Sequence, residues 1–420
     1  MDDNCHPYLL KHICFRKYAE INIYDLKNDE SYIIDEEAFD LVKNATGKNS
    51  INSIIELYPK SKHQEVLEAI NFFIESRIFG CHSKDASFQG FNKSLTEDLN
   101  RDNPTGSPFL KNLMINITEK CNLSCKHCYI TKKNRSDFPL DKLKDIIKDF
   151  FNLQGIKLIL TGGEPLLYSH LEELLEFLID YPFQKELLTN GILIKQEPRI
   201  LELLKQNRFN VYVSVDGLEA THEDFRDATC FKNTLEGIKL LLKNEINTSI
   251  NTMVHKQNIG EFDKLFQFIK SLGPIKNWSV DIPTFDESTP KDVVDKYQIT
   301  PEEGGKILKE YGWGVIYESE SNEYCCGPNL MAIDVLGTVT KCGFFYDQNV
   351  GNVHELGLKK SWELIQKNLN WLLSDLKCIE KECDYLNECR GGCRYRAYKN
   401  TNDISGVDAF KCSQFGTPIK

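Results

Sequence analysis

Three cysteines stand close together in the segment ITEKCNLSCKHCYI, at Cys121, Cys125 and Cys128, with the spacing C-x3-C-x2-C. Thiolates are soft ligands, and three of them in one loop can hold three irons of a cubane [4Fe–4S] cluster. The fourth iron then lacks a protein ligand and is open to a substrate or cofactor. Eight more cysteines fall between Cys325 and Cys412. Cys326 is followed by ten residues, Gly337, four residues and Cys342; then come Cys378-x4-Cys383-x5-Cys389-x3-Cys393 and finally Cys412. A region short of core but rich in cysteine uses metal as its staple. Between the two sets, LTGGEP (160–165), LLTNG (187–191) and VSVDG (213–217) each close an apolar run. Glycines there let backbone approach a ligand.

The chain has 15 cysteines in 420 residues, and its start, MDDNCHPYLL, lacks the basic and apolar regions of a secretion signal. Disulfides do not persist in a reducing compartment, so this usage points to metal or redox chemistry. Cys5, Cys14, Cys81 and Cys230 lie outside both sets and read as small buried hydrophobes. Cys230, in a βα loop, is the one that could reach a pocket there and return a hydrogen atom. With 41% hydrophobic and 27% charged residues the chain can bury real cores. A net charge of −11 argues against nucleic-acid binding through a broad basic face. No apolar run approaches the roughly 18 residues of a membrane span. The expectation is a cytoplasmic protein bound to neither nucleic acid nor membrane.

The elements that must position these residues follow from periodicity. Between 113 and 283, six short apolar strands alternate with five amphipathic helices. That pattern predicts an α/β fold, a parallel sheet curled into a partial (β/α)6 barrel over 109–310. The motifs then fall at the C-terminal strand ends, where such folds place active sites. Ahead of it, residues 1–92 read as an α+β unit. EINIYDL and SYIID alternate as strands, and DEEAFDLVKNATG, INSIIELY and HQEVLEAINFFIES read as helices, a winged-helix-like order. Residues 93–108 form a linker, and 311–420 a cysteine-rich domain with metal as its staple.

The loop around Cys121, Cys125 and Cys128 resembles the signature of radical S-adenosylmethionine (SAM) enzymes. The resemblance implies that SAM chelates the open iron and is cleaved reductively to a 5′-deoxyadenosyl radical, which abstracts hydrogen. It further implies SAM contacts from Gly162, Gly163 and Glu164, from Asn190, Ser214 and Asp216, from Arg226 toward the SAM carboxylate, and from Tyr129. His127 stands where the family often has an aromatic residue. The C-terminal set resembles the SPASM extension of peptide-modifying members, except that four residues rather than two separate Cys378 from Cys383. By that family's pattern, Cys378, Cys383, Cys389 and Cys412 hold one auxiliary [4Fe–4S] cluster. Cys326, Cys342 and Cys393 supply three ligands of a second, with Cys325 the one spare thiol. Residues 1–92 resemble the PqqD-like recognition element of ribosomal-peptide maturases, which binds a leader peptide by strand addition.

Together these resemblances imply a maturase, similar to sactisynthases and ranthipeptide synthases, that acts on a ribosomally made precursor peptide. It would use a donor such as flavodoxin or ferredoxin and form thioether links from substrate cysteines. Carbon–carbon crosslinking, epimerisation and sulfatase maturation are the enzymatic alternatives. An iron–sulfur electron carrier or redox sensor is the non-enzymatic one.

Overall fold

Leu113, Ile115 and Ile117 are all fully buried, as one face of a strand requires. They belong to β6 (Asn112–Thr118), the strand that leads into the first cysteine loop. The computed structural model describes residues 5–18, 20–28, 30–83, 106–128, 130, 135–196, 198–312, 323–345, 347–380 and 382–417. After β6 come β7 (Lys157–Gly162), β8 (Gln184–Thr189), β9 (Asn210–Ser214), β10 (Asn247–Met253) and β11 (Trp278–Asp281). These are the six expected strands, side by side in chain order. The registers between β6 and β7, β8 and β9, β9 and β10, and β10 and β11 are parallel.

Divergence from the sequence reading begins beyond residue 311. β12 (Leu330–Ile333) adds to the free side of β6 in parallel, and β13 (Thr338–Thr340) and β14 (Asn349–Asn352) follow it antiparallel. Among the described residues the sheet therefore has nine strands, three of them from the cysteine-rich region. LMAI is a four-residue run, too short for alternation to flag, yet pairing it satisfies the backbone groups that β6 would otherwise expose. By contacts, 105–150, 157–181 and 185–420 form one compact unit.

The helices of this unit follow their apolar stripes. In the helix over Leu140–Asn152, the buried residues are Leu143, Ile146, Ile147 and Phe150, at i, i+3, i+4 and i+7. A short helix that periodicity does not announce, Glu219–Arg226, lies between β9 and the helix Phe231–Lys243. It bears directly on the site and is called α4 below.

The other unit comprises the described part of 1–104 with 151–156 and 182–184. Its helices α1 (Glu36–Asn44), α2 (Ile51–Ile55) and α3 (His63–Glu75) match the three expected. Asp35 and Ser50 cap the first two through side-chain bonds to Ala38 N and Ser53 N. Among the described residues five strands flank them rather than two. β2 (Ile13–Lys17), β3 (Ile21–Asp25) and β4 (Glu30–Ile34) make an antiparallel sheet, and β1 (His6–Leu9) pairs with β5 (Phe79–His82). β2 escapes an alternation test because Ile13, Cys14, Phe15 and Arg16 are all buried. β1 and β5 place Pro7 opposite Cys81, and Cys81 forms a disulfide with Cys5. The expectation that both are single thiols is thus corrected: strand pairing brings together residues 76 apart.

Candidate active site at the strand ends

The cysteine loop is held first by the glycines of the LTGGEP turn. Gly163 N donates to Thr118 O and Glu164 N to Lys120 O, both at 2.7 Å. A Cβ on Gly162, whose φ is +146°, would stand 2.2 Å from Thr118 O; on Gly163 it would stand 2.4 Å from Lys120 O. Glycine is therefore required here by chain-to-chain approach, whatever ligand binds above it. Lys120 is fixed in turn by Asp137, at 2.6 Å.

The second brace is α4. Lys126 N donates to Phe225 O at 3.1 Å, and Lys126 Nζ pairs with Asp227 at 2.9 Å. The His127 ring stacks on Phe225 (centroids 4.1 Å apart), which stacks on His255 at 4.0 Å. Next to Phe225, Arg226 turns toward the cysteines. Its Nε donates to Asp216 Oδ2 at 2.5 Å and its Nη1 to Cys125 Sγ at 3.7 Å. Asp216 has no exposure, and its Oδ1 accepts from Met253 N at 2.9 Å. Burial pushes the Asp216 carboxyl up, but Arg226, His127 and His222 outweigh it and hold it at about 2. Burial also raises the Cys125 thiol, against the pull of Arg226.

Cys121, Cys125 and Cys128 line one cavity of about 220 Å³. Of the residues that the resemblance named, Gly162, Gly163, Asn190, Ser214, Asp216 and Arg226 share its wall. Glu164 does not. It is fully buried, with Oε1 accepting from Thr189 Oγ1 and Leu166 N, and Oε2 from Asn190 N. It ties the end of β7 to the end of β8, and burial raises its pKa. Cys230 is also absent from the wall, being buried at the N-terminus of the helix over 231–243. Tyr129 lies outside the described residues. Sequence reading missed Asn122, which accepts from Asn190 Nδ2 at 2.8 Å, and the apolar wall of Met114, Leu188, Met253, Pro283 and Phe344. Nothing in their spacing marks them; they meet only when strand ends converge.

The C-terminal cysteines fall into two groups. Cys378, Cys383, Cys389 and Cys412 line one small cavity with Asp408 and Lys411. Burial pushes the Cys389 thiol up to about 12, with Asp408 and Cys412 adding to it. Cys342 is pushed up to about 12 and Cys393 higher still, by burial first, and a charge on Cys326 adds to both. Cys326, Cys342 and Cys393 are thus electrostatic neighbours. Cys325 has a bond of its own: its Sγ donates to Trp371 O at 3.2 Å, and it packs in a cluster with Leu373, Leu376 and Cys378, while burial first, and then a charge on Cys326, raise its thiol. Cys326 itself has left-handed backbone, with φ +43°.

The donor sets fit iron–sulfur clusters. Among the described residues no three His, Cys, Asp or Glu side chains close around a single ion. Cubane ligands need not, since each thiolate binds a different iron. Lys341, 1% exposed, points the same way. Burial lowers it to about 8, and the only groups that oppose this are Cys326, Cys342 and Cys325. Its ammonium donates to Pro328 O and Asn370 Oδ1, so a charge on these cysteines would be the balancing anion for a buried cation.

Residues 115–269 match the family model described as the Radical SAM superfamily. The chain is 29% identical over 330 residues to the AdoMet-dependent heme synthase of Methanosarcina barkeri, which covers 68% of this chain and 92% of that protein. It is 24% identical over 300 residues to the antilisterial bacteriocin subtilosin biosynthesis protein AlbA of Bacillus subtilis, covering 66% of this chain and 65% of AlbA. The fold is similar to that of Streptococcus suis SuiB bound to its precursor peptide SuiA, with a TM-score of 0.64, 16% identity, and coverage of 97% and 99% of the two chains. Radical SAM enzymes use a [4Fe–4S] cluster and SAM, and the loop, turn and cavity described above lie within or beside the matched segment. Residues 115–269 of this chain are a radical SAM domain.

Proposed function

We propose that this enzyme matures a ribosomally made precursor peptide by joining a substrate cysteine to an acceptor carbon as a thioether. The observation that carries the reading is that Gly343 and Phe344, directly after Cys342, line the same cavity as Cys121, Cys125 and Cys128. The group Cys326, Cys342 and Cys393 therefore abuts the radical site. With Cys325 engaged by Trp371, that group offers three thiols, which leaves one position for a substrate thiolate.

Cys121, Cys125 and Cys128 would hold the SAM cluster, and Cys378, Cys383, Cys389 and Cys412 a fully ligated auxiliary one. When bound, the cluster and SAM supply a carbon radical able to remove a hydrogen atom from the peptide. Asn190 and Ser214 offer polar groups to SAM from the strand ends, and the Gly162–Gly163 turn leaves room beside it. Met114, Leu188, Met253, Pro283 and Phe344 give the cavity an apolar wall that excludes water from a reactive intermediate. Electrons would come from a donor such as flavodoxin or ferredoxin.

Peptide as the substrate is supported by the first unit, residues 1–92. Among the described residues β4 pairs only with β3, so its other side is an open edge. Ile33 is 66% exposed there, and Tyr32 meets the exposed Phe72 of α3 edge-on, at 5.9 Å. An extended leader could add as a strand and set its side chains on these rings. The AlbA and SuiA–SuiB relationships agree with this, and the SuiB fold takes in 97% of the chain where the heme synthase similarity takes in 68%. Residues 109–310 would then be the radical domain and 311–420 the auxiliary-cluster domain.

The test is anaerobic incubation of reduced enzyme with SAM and the precursor peptide encoded beside it, read by mass spectrometry. A thioether removes about two hydrogens and one alkylatable thiol per link. The same mass loss with all thiols retained would indicate a carbon–carbon link, and an unchanged mass with altered stereochemistry would indicate epimerisation; either sinks the thioether reading.

A further inference from the structure

Both Asp216 oxygens already have partners within the chain, Met253 N and Arg226 Nε. Its backbone is fixed as well. Asp216 N donates to His222 Nδ1 at 3.1 Å, and Asp216 O accepts from Asn258 Nδ2 at 2.7 Å and from His255 Nε2 at 3.2 Å. These three partners are each no more than 1% exposed. A carboxylate held at this many points is built to hold something else, and what it holds is the Arg226 guanidinium. Arg226 is itself 9% exposed and carries its Nη1 to Cys125 Sγ.

We infer that Asp216 and Arg226 are positioning residues for the cysteine loop, and that the Arg226 N–H bond to Cys125 Sγ raises the reduction potential of the cluster held there. The inference rests on the reading that Cys121, Cys125 and Cys128 carry a cluster. Hydrogen bonds to cluster sulfurs, and nearby positive charge, favour the reduced and more negative state. The guanidinium stays protonated at every working pH, so the bond is permanent. Burial strengthens it, because a charged donor acts more strongly where little water screens it. This makes Asp216 the anchor of Arg226 and assigns Arg226 to the cluster sulfur as well as to the cavity wall.

The experiment is an EPR-monitored redox titration of the anaerobically reconstituted full-length enzyme without SAM, so that contacts to SAM cannot contribute. A Cys121/Cys125/Cys128→Ala variant identifies which signal belongs to this cluster. Arg226→Gln should keep its iron but show a more negative midpoint for that signal, with the auxiliary signals unmoved. Arg226→Lys should show the same direction because the shorter, unforked cation cannot hold Asp216 and Cys125 together. Asp216→Asn should give a midpoint less negative than that of Arg226→Gln, since it removes a buried anion while the guanidinium keeps its charge. Should Arg226→Gln fail to load the cluster, Arg226→Lys decides. An unchanged midpoint in the variant that loads overturns the inference and leaves a merely structural brace. Wild-type enzyme without iron at these cysteines would instead refute the reading beneath it.

Discussion

The ring of His127 lies 9° from parallel with that of Phe225, one residue before the arginine that reaches Cys125. His127 sits between two of the cysteines, so a single aromatic side chain on α4 sets the height of the loop. Phe225 has no exposure, and it also touches His255 and Tyr297. Phe225→Ala should cost about 3–5 kcal/mol of barrel stability, in the range for a buried ring, and should lower the iron retained at this loop. Phe225→Leu should cost less. Urea denaturation followed by iron counting tests both; equal stability of Phe225→Ala and wild type would refute the stack as a brace.

Gly163 and Gly260 give a matched pair of glycine tests. A Cβ on Gly163 would strike backbone, Lys120 O at 2.4 Å, while one on Gly260 would meet nothing within 4 Å. Gly163→Ala should push the turn away from the cysteine loop and weaken SAM binding by at least about tenfold, a loss of about 1.4 kcal/mol. Gly260→Ala should leave SAM affinity as it is. Equilibrium dialysis with labelled SAM distinguishes the two, and equal affinities would show that the close approach is unimportant.

Acid should loosen the site before it touches the surface. His222 and His255 are held near 4, against an ordinary 6.5, by burial. Asp216 pulls both upward, Asp224 and Glu261 also pull His255 upward, and Arg226 pushes His222 down; burial wins. The folded chain therefore keeps both rings neutral while the unfolded chain takes up protons below about 6.5. Stability is complete above that pH and falls toward pH 4, by up to about 1.4 kcal/mol per pH unit for each histidine. Urea midpoints of the iron-free protein, read by tryptophan fluorescence between about pH 7 and 5, should fall steadily. Constant midpoints would mean that these rings are not buried as neutral groups.

On the open edge of β4, Ile33→Asp and Phe72→Ser should each weaken precursor-peptide binding by about tenfold or more, because a leader strand would lose an apolar contact beside it. Neither residue is buried, so folding should be little affected. Uncoupled SAM cleavage should also be unchanged. Fluorescence anisotropy with a labelled peptide measures the first effect and 5′-deoxyadenosine release the second. Unaltered peptide affinity in both variants would remove the edge from the recognition surface.

Local chemistry was legible in the chain. Here three of the cluster ligands sit a few residues apart in one loop, so the spacing of Cys121, Cys125 and Cys128 is itself the signal. Buried parallel strands are short apolar runs, and amphipathic helices repeat every 3.6 residues, so β6 to β11 and their longer helices could be placed from pattern alone. Folding in three dimensions decided the rest. Arg226 is 101 residues from Cys125 in sequence. Cys5 and Cys81 meet only because β1 pairs with β5, and β12 joins β6 only because that edge needs a partner. Glu164 looks like a ligand-facing acid in the string, yet the backbone turns it onto Thr189 and Asn190. The direction a side chain points depends on backbone angles and on neighbours far along the chain, and neither is written in residue type or spacing.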